Sequence, residues 1–165
     1  MINILIITTI FTVFDQLIKI IITNYFSLGE SLEIIKDFFY LTNVHNYGAA
    51  WSILTNRVFL LIIIAIVALI IIYWSFIKNK NLTKSDTLLL GMLISGILGN
   101  LIDRIVYGYV IDYLDFYIFK YNFPVFNLAD TLIVISAILL FIKSLKEEKN
   151  GKVHHSWKWR KYTYW

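Results

Sequence analysis

The sequence predicts a membrane protein of four transmembrane helices, and three observations lead there. Of its 165 residues, 59% are hydrophobic and 16% charged, with a mean hydropathy of +0.71. Soluble domains average roughly 45–50% apolar and about 25% charged. The apolar residues gather into four long runs, each near the ~20 residues that a ~30 Å hydrocarbon core requires. The charges fall between these runs or at their rims. A net charge of +4 and a pI near 9.2 come from lysines in short loops and a tail beside apolar runs. That is the signature of membrane topology, and no nucleic-acid partner is expected.

The first run covers residues 2–22. No basic residue precedes it, it has no small-x-small cleavage site, and it carries Asp15 and Lys19 near its end. It therefore reads as a span, not a cleaved leader. Residues 23–36 are polar. Residues 37–54, DFFYLTNVHNYGAAWSIL, are rich in aromatics, Asn and Gly, and read as short strands and turns at the membrane surface. Residues 58–77 are apolar without a charge, the clearest span of the chain. KNKNLTK, 78–84, is a short basic loop. A third span, 87–106, carries Asn100, Asp103 and Arg104 in its last turns. An outer loop with Asp112 and Asp115 follows, and Asp115 reads as a solvated loop acid. Pro124 sits near the start of a fourth span, 125–143, with Asn127 and Asp130 in its first turns.

Residues 144–165 form a basic, then aromatic, tail suited to an anionic membrane surface. The expected organisation is one membrane-embedded domain, 1–143, and a tail, 144–165. Lys78, Lys80, Lys84 and the tail lysines share one side of the membrane. Glu30, Glu33, Lys36, Asp37, Arg57, Asp112, Asp115 and Lys120 share the other. The positive-inside rule then puts both termini in the cytoplasm, with the unusual polar residues at the outer face.

Cysteine is absent, which excludes disulfides, thiolate zinc sites and a cysteine nucleophile. There is no HExxH or GxSxG, and His45 is the one histidine outside the tail. His154 and His155 lack further ligands and make a poor metal site, so no metal or cofactor is expected. What remains is carboxylates. Asp112 in YVIDYLDF and Asp130 in VFNLADTLIVIS lie among apolar residues. A lipid-exposed aspartate costs roughly 2.5–3.5 kcal/mol on insertion scales, so both must face polar partners. Asp130 also suits plain capping at a helix start. Two desolvated carboxyls close together share one proton and offer a base and an acid at once. The base would activate water against a carbonyl, and the acid would protonate the carbonyl oxygen and then help the leaving amine.

Other polar residues pair by spacing. Asp15 and Lys19 lie four apart on one helical face, either as an intramembrane ion pair or as shapers of the site. Asn46 and Gly48 fit a turn, or a loop holding substrate backbone. Asn100, Asp103 and Arg104 share a face, and an ion pair between Asp103 and Arg104 is the expected arrangement. Asn127 and Asp130 share another.

FDQLIK (14–19), NYGAAWS (46–52), GNLIDR (99–104), VIDY (110–113) and FNLAD (126–130) together resemble the ordered motifs of lipoprotein signal peptidases, the signal peptidase II family. The resemblance extends from about residue 11 to residue 143. It implies a four-helix bacterial inner-membrane aspartic protease with a small extracytoplasmic β-cradle and a short outer helix or loop. The family removes signal peptides from diacylglyceryl-modified prolipoproteins, just before the lipidated cysteine, without a cofactor. Its catalytic pair maps onto Asp112 and Asp130. Asp15, Lys19, Asn46, Gly48, Asn100, Asp103, Arg104, Asn127 and Ala129 match the supporting positions. Membrane lipids and globomycin-type inhibitors are the other implied partners, and the protein is expected to be monomeric. Trp51 and Tyr113 stand where the family usually has Phe.

Two rival readings make different demands. A small ion or proton transporter needs polar residues continuing toward the inner face, and the inner halves of these spans offer almost none. A non-catalytic assembly subunit, using polar residues as interhelical glue, would tolerate Asn at 112 or 130.

Overall fold

The computed structural model describes residues 2–49, 53–78, 81–118 and 121–149. Ala50, Trp51, Ser52, Lys80, Lys120 and the tail residues 150–165, with His154 and His155, lie outside them. The elements in order are α1 (Ile2–Tyr25), β1 (Ser31–Ile35), β2 (Phe39–Asn46), α2 (Val58–Ile72), α3 (Lys84–Val106), β3 (Val110–Ile118), β4 (Tyr121–Asn122) and α4 (Leu128–Lys149). Five π-helical residues, Tyr73–Ile77, extend α2. Among the described residues, four helices are long and apolar enough to cross a membrane.

Caps explain where two spans begin. Thr83 caps α3 in a reciprocal box: the Asp86 amide donates to Thr83 Oγ1 at 3.2 Å, and the Thr83 amide donates to Asp86 Oδ2 at 3.0 Å. This starts α3 three residues before the expected 87. Asn127 makes the same box with Asp130, so α4 starts at Leu128, not at 125. At the far end α4 continues to Lys149, past 143.

α3 is the hub, packed between α1 and α4 and touched by α2. Its seam with α1 is made of small residues and hydroxyls. Thr8 Oγ1 donates to Gly91 O at 3.3 Å, Thr12 Oγ1 to Ser95 O at 3.5 Å, and Gln16 Nε2 to Gly99 O at 3.2 Å. Each step advances four residues on both helices, so α1 and α3 run parallel. Lipid tails are as apolar as leucine, so such close backbone approach and hydrogen bonding, not hydrophobicity, associates the helices. In the same seam a Cβ at Gly99 would lie 2.5 Å from Asp15 Oδ2, and on α3's other side one at Gly96 would collide with the Ala129 carbonyl. At the end remote from the sheet, Lys143 of α4 bonds Thr83 and Asp86 of α3.

The strands form an antiparallel sheet in the order β1-β2-β3-β4. Residues 110–118, expected as a loop, are its longest strand. In VIDYLDFYI, β-branched and aromatic residues surround both acids, a composition that favours a pleated, half-buried surface. Gly108, at φ +79°, reverses the chain between α3 and β3. Ile111 and Tyr113 pack with Ile22 of α1 and fix the sheet to the bundle. Asp115 is 7% exposed and its Oδ1 has no hydrogen-bond partner, so it is not a solvated acid. Its strand presses it against the body of the protein, and burial raises its pKa. Residues 53–56 form a turn before α2.

The α3–α4 contact gives a stability test. Gly96→Ala places a methyl against backbone that cannot yield, and overpacking of this kind costs about 1–3 kcal/mol. The variant should unfold at lower temperature than the parent in detergent, read by circular dichroism.

Candidate active site

The site lies where α1, α3, α4 and the sheet converge. Val110 pairs with Asn46 and Val44 with Asp112, so Asn46 and Asp112 are diagonal neighbours on one sheet face. Asn46 Nδ2 donates to Asp112 Oδ2 at 2.9 Å, and Asn46 Oδ1 accepts the Gly48 amide at 2.9 Å. The entry to α4 docks on the same strand. Phe126 exchanges backbone hydrogen bonds with Leu114, and its carbonyl also accepts the Tyr113 amide. Asn127 and Asp130 are thereby set beside Asp112.

Two asparagines join the carboxyls. Asn127 Nδ2 donates to Asp112 Oδ1 at 2.7 Å, while its backbone amide donates to Asp130 Oδ2 at 3.3 Å. Asn100 Nδ2 donates to Asp130 Oδ1 at 2.7 Å. Each of the four carboxyl oxygens therefore has a donor. The orientation of Asn100 is forced, because its Oδ1 accepts from Lys19 Nζ at 3.2 Å and from Asn127 Nδ2 at 3.0 Å.

Beneath this pair lies a buried charge cluster. Lys19 Nζ is 2.9 Å from Asp15 Oδ2 and 2.8 Å from Asp103 Oδ2, and all three side chains are at most 1% exposed. With Asn100 these partners match the three donors of an ammonium. Asp103 thus pairs with Lys19, not with Arg104 as expected. Adjacent helical residues do not face one another, and α1 supplies the nearer cation. Asp103 also accepts from Gln16 Nε2 and from the Ile111 amide. Arg104 turns toward the cavity and donates from Nη2 to Gly48 O at 2.9 Å and from Nη1 to Asn100 O at 3.3 Å. Asp15 Oδ1 accepts the Ala129 amide at 3.0 Å, so the lysine cluster also caps α4.

Every site residue singled out from the sequence is gathered here. Gln16 and Gly99 sat unremarked inside the quoted motifs, and Tyr113 was noted only as standing where Phe is usual. Gln16 follows Asp15 and bonds both acids of the cluster, Gly99 gives Asp15 its room, and the Tyr113 hydroxyl accepts the Leu128 amide at 3.1 Å.

A cavity of about 890 Å³ opens over the two carboxyls. Asn46, Asn100 and Arg104 line its polar floor, and Val134 and Ile135 of α4 belong to an apolar wall. Asp112 is 2% exposed, and burial, aided by the charge of Asp130, pushes its pKa up to about 7 against the pull of the Asn46 and Asn127 amides. The pair can hold one proton near neutrality, and an acid and a base then face one cavity.

The family model described as signal peptidase (SPase) II matches residues 7–146. The chain belongs to the signal peptidase II family. It is 41% identical over 140 residues to the lipoprotein signal peptidases of Staphylococcus aureus strains JH9 and Newman, covering 85% of this chain and 86% of each relative. The fold agrees with two solved bacterial membrane enzymes, both 38% identical. One, at 2.3 Å resolution, has a TM-score of 0.82 over 89% of this chain and 90% of its own. The other, at 1.9 Å, has a TM-score of 0.78 over 87% and 93%. Signal peptidase II is a protease family, and this member is a multi-pass membrane protein by its four apolar helices.

The lysine cluster yields the next test. Removing one partner of a buried ion pair costs about 3–5 kcal/mol because a charge is left uncompensated. Lys19→Met should lower the thermal midpoint in detergent more than Lys143→Met does, since Lys143 is 24% exposed.

Proposed function

We propose that this protein is a lipoprotein signal peptidase working by an aspartic dyad, and that Asp112 and Asp130 are its catalytic residues. The observation that carries the reading is the pair of carboxyls joined by Asn127 and opening into one cavity. The substrate is a diacylglyceryl-modified prolipoprotein, cut on the N-terminal side of the lipidated cysteine. The scissile carbonyl enters over the pair, and the apolar signal helix and acyl chains approach from the bilayer along the α4 wall.

Asp112 is the resting acid. It lies on a strand with two amide donors and no cation against its oxygens. Asp130 is the base. It is the third residue of α4, where the helix N-terminus favours an anion, and its two oxygens accept from the Asn100 side chain and the Asn127 amide. Asp130 takes a proton from water as that water attacks the carbonyl carbon. Asp112 gives its proton to the carbonyl oxygen. Collapse of the tetrahedral intermediate breaks the C–N bond as one of its hydroxyl protons returns to Asp112 and the proton held by Asp130 leaves with the amine. Arg104, held by Gly48 and Asn100, supplies positive charge beside the developing oxyanion. No step calls for a cofactor. The peptidase domain is residues 1–143, with 144–165 as a tail, acting as a monomer in the cell membrane. Both termini face the cytoplasm and the site faces outward. Globomycin-type inhibitors would occupy the same cavity.

The deciding experiment is cleavage of a diacylglyceryl-modified precursor by purified protein in detergent. Asp112→Asn and Asp130→Asn should each lose about 10²–10⁴-fold in kcat while remaining folded. Wild-type rates in either variant would refute the dyad. The pH profile is a second check. Activity needs Asp112 protonated, so it should fall as pH rises through about 7. The Asn46 amide stabilises the Asp112 anion, so Asn46→Leu should move that alkaline limb to higher pH.

A further inference from the structure

Thr131 follows Asp130 on α4, half-buried, and lines the same cavity. Val134 and Ile135, three and four residues on, continue its stripe along the apolar wall. Among the described residues, Thr131 is the one polar side chain that α4 adds to this lining beyond Asp130. Its hydroxyl donates to the Asn127 carbonyl at 3.0 Å. A hydroxyl has one hydrogen and two lone pairs. With that hydrogen committed to the helix, the oxygen can only accept.

The cavity is short of such acceptors. All four carboxyl oxygens already hold donors, as do the carboxamide oxygens of Asn46 and Asn100. Arg104 only donates. An apolar helix must unwind before one of its carbonyls can reach the carboxyl pair, and each unwound residue frees an N–H. Non-helical backbone at membrane depth is tolerated only where protein or water meets its polar groups.

We propose that Thr131 is a substrate-binding residue, its hydroxyl oxygen accepting a backbone N–H of the signal segment where that segment leaves its helix beside the scissile bond. The inference rests on the dyad reading above. Thr131 stands between the apolar wall, along which the signal helix approaches, and Asp130, so the N–H belongs to one of the last residues before the cut. The bond is made in the bound substrate and in the transition state alike. It therefore contributes to binding and not to turnover.

Thr131→Val keeps the shape and removes the oxygen. The Asn127 carbonyl still accepts the residue 131 backbone amide at 3.2 Å, so the cap beside the carboxyl pair stays in place. The test uses the full-length protein in detergent with synthetic diacylglyceryl-modified precursors. Thr131→Val should raise KM roughly tenfold and leave kcat and the alkaline limb of the pH profile unchanged. Thr131→Ser keeps the acceptor and should stay within about twofold of the parent. In further precursors each of the three amides preceding the scissile one is replaced in turn by an ester, which lacks the N–H. One of these should bind the wild type more weakly, and with that precursor Thr131→Val should raise KM by less than about twofold. Unchanged KM in Thr131→Val overturns the proposal. So does a loss that persists with every ester precursor, since no substrate N–H would then be the partner. A fall in kcat with a displaced alkaline limb also overturns it, because the carboxyl pair itself would then be disturbed. Active Asp112→Asn or Asp130→Asn variants overturn the dyad and this proposal with it, whereas inactive ones beside an unaffected Thr131→Val overturn the proposal alone.

Discussion

One ammonium group organises the sheet end of this molecule. Lys19 satisfies its three donors on Asp15, Asp103 and Asn100. Each partner then reaches a different element. Asp15 caps α4, Asp103 holds the backbone of β3, and Asn100 donates to Asp130. Removing one member of such a buried cluster leaves its partners without their hydrogen-bonded counter-charge. The bundle's alignment and the placing of the site are thus consequences of a single charge balance.

The site itself is finished with carboxamides. Asn46, Asn100 and Asn127 come from β2, α3 and the start of α4, and among them they reach all four carboxyl oxygens with the help of one backbone amide. A carboxamide donates at one end and accepts at the other, so each orientation is dictated by its neighbour. Being neutral, it also orients a carboxyl without forcing it to ionise. A lysine in direct contact would hold its acid as the anion. Here the cation stands one residue back from the pair, with Asn100 between Lys19 and Asp130.

The four spans were legible because their apolar runs are long and charge-poor, and residues 58–77 bound the second span in sequence and structure alike. The site was legible because acids inside apolar segments demand partners. Strand β3 was missed for the same reason: Asp112 and Asp115 drew its segment toward a loop, although the residues around them are strand formers. The Asp103–Lys19 pair was missed because it joins residues 84 apart, and no local spacing reports it. The α1–α3 seam was written as Thr8, Thr12 and Gln16 against Gly91, Ser95 and Gly99, a four-residue rhythm in both helices. Small residues in an apolar run look like filler until a partner helix is known.

The apolar wall of the cavity, where Val134 and Ile135 lie on α4, has a bearing on selectivity. In water such a wall would reward any greasy ligand. In a bilayer it is already wetted by acyl chains, so an incoming apolar segment exchanges one hydrocarbon contact for another at little net gain. Greasiness can guide a segment to the wall but cannot tell one segment from the next. On the proposed reading, choice falls to the few polar groups on the floor, where Arg104 carries guanidinium hydrogens beyond those given to Gly48 and Asn100. On that reading, discrimination is left to hydrogen bonds at one end of a passage that is otherwise indifferent.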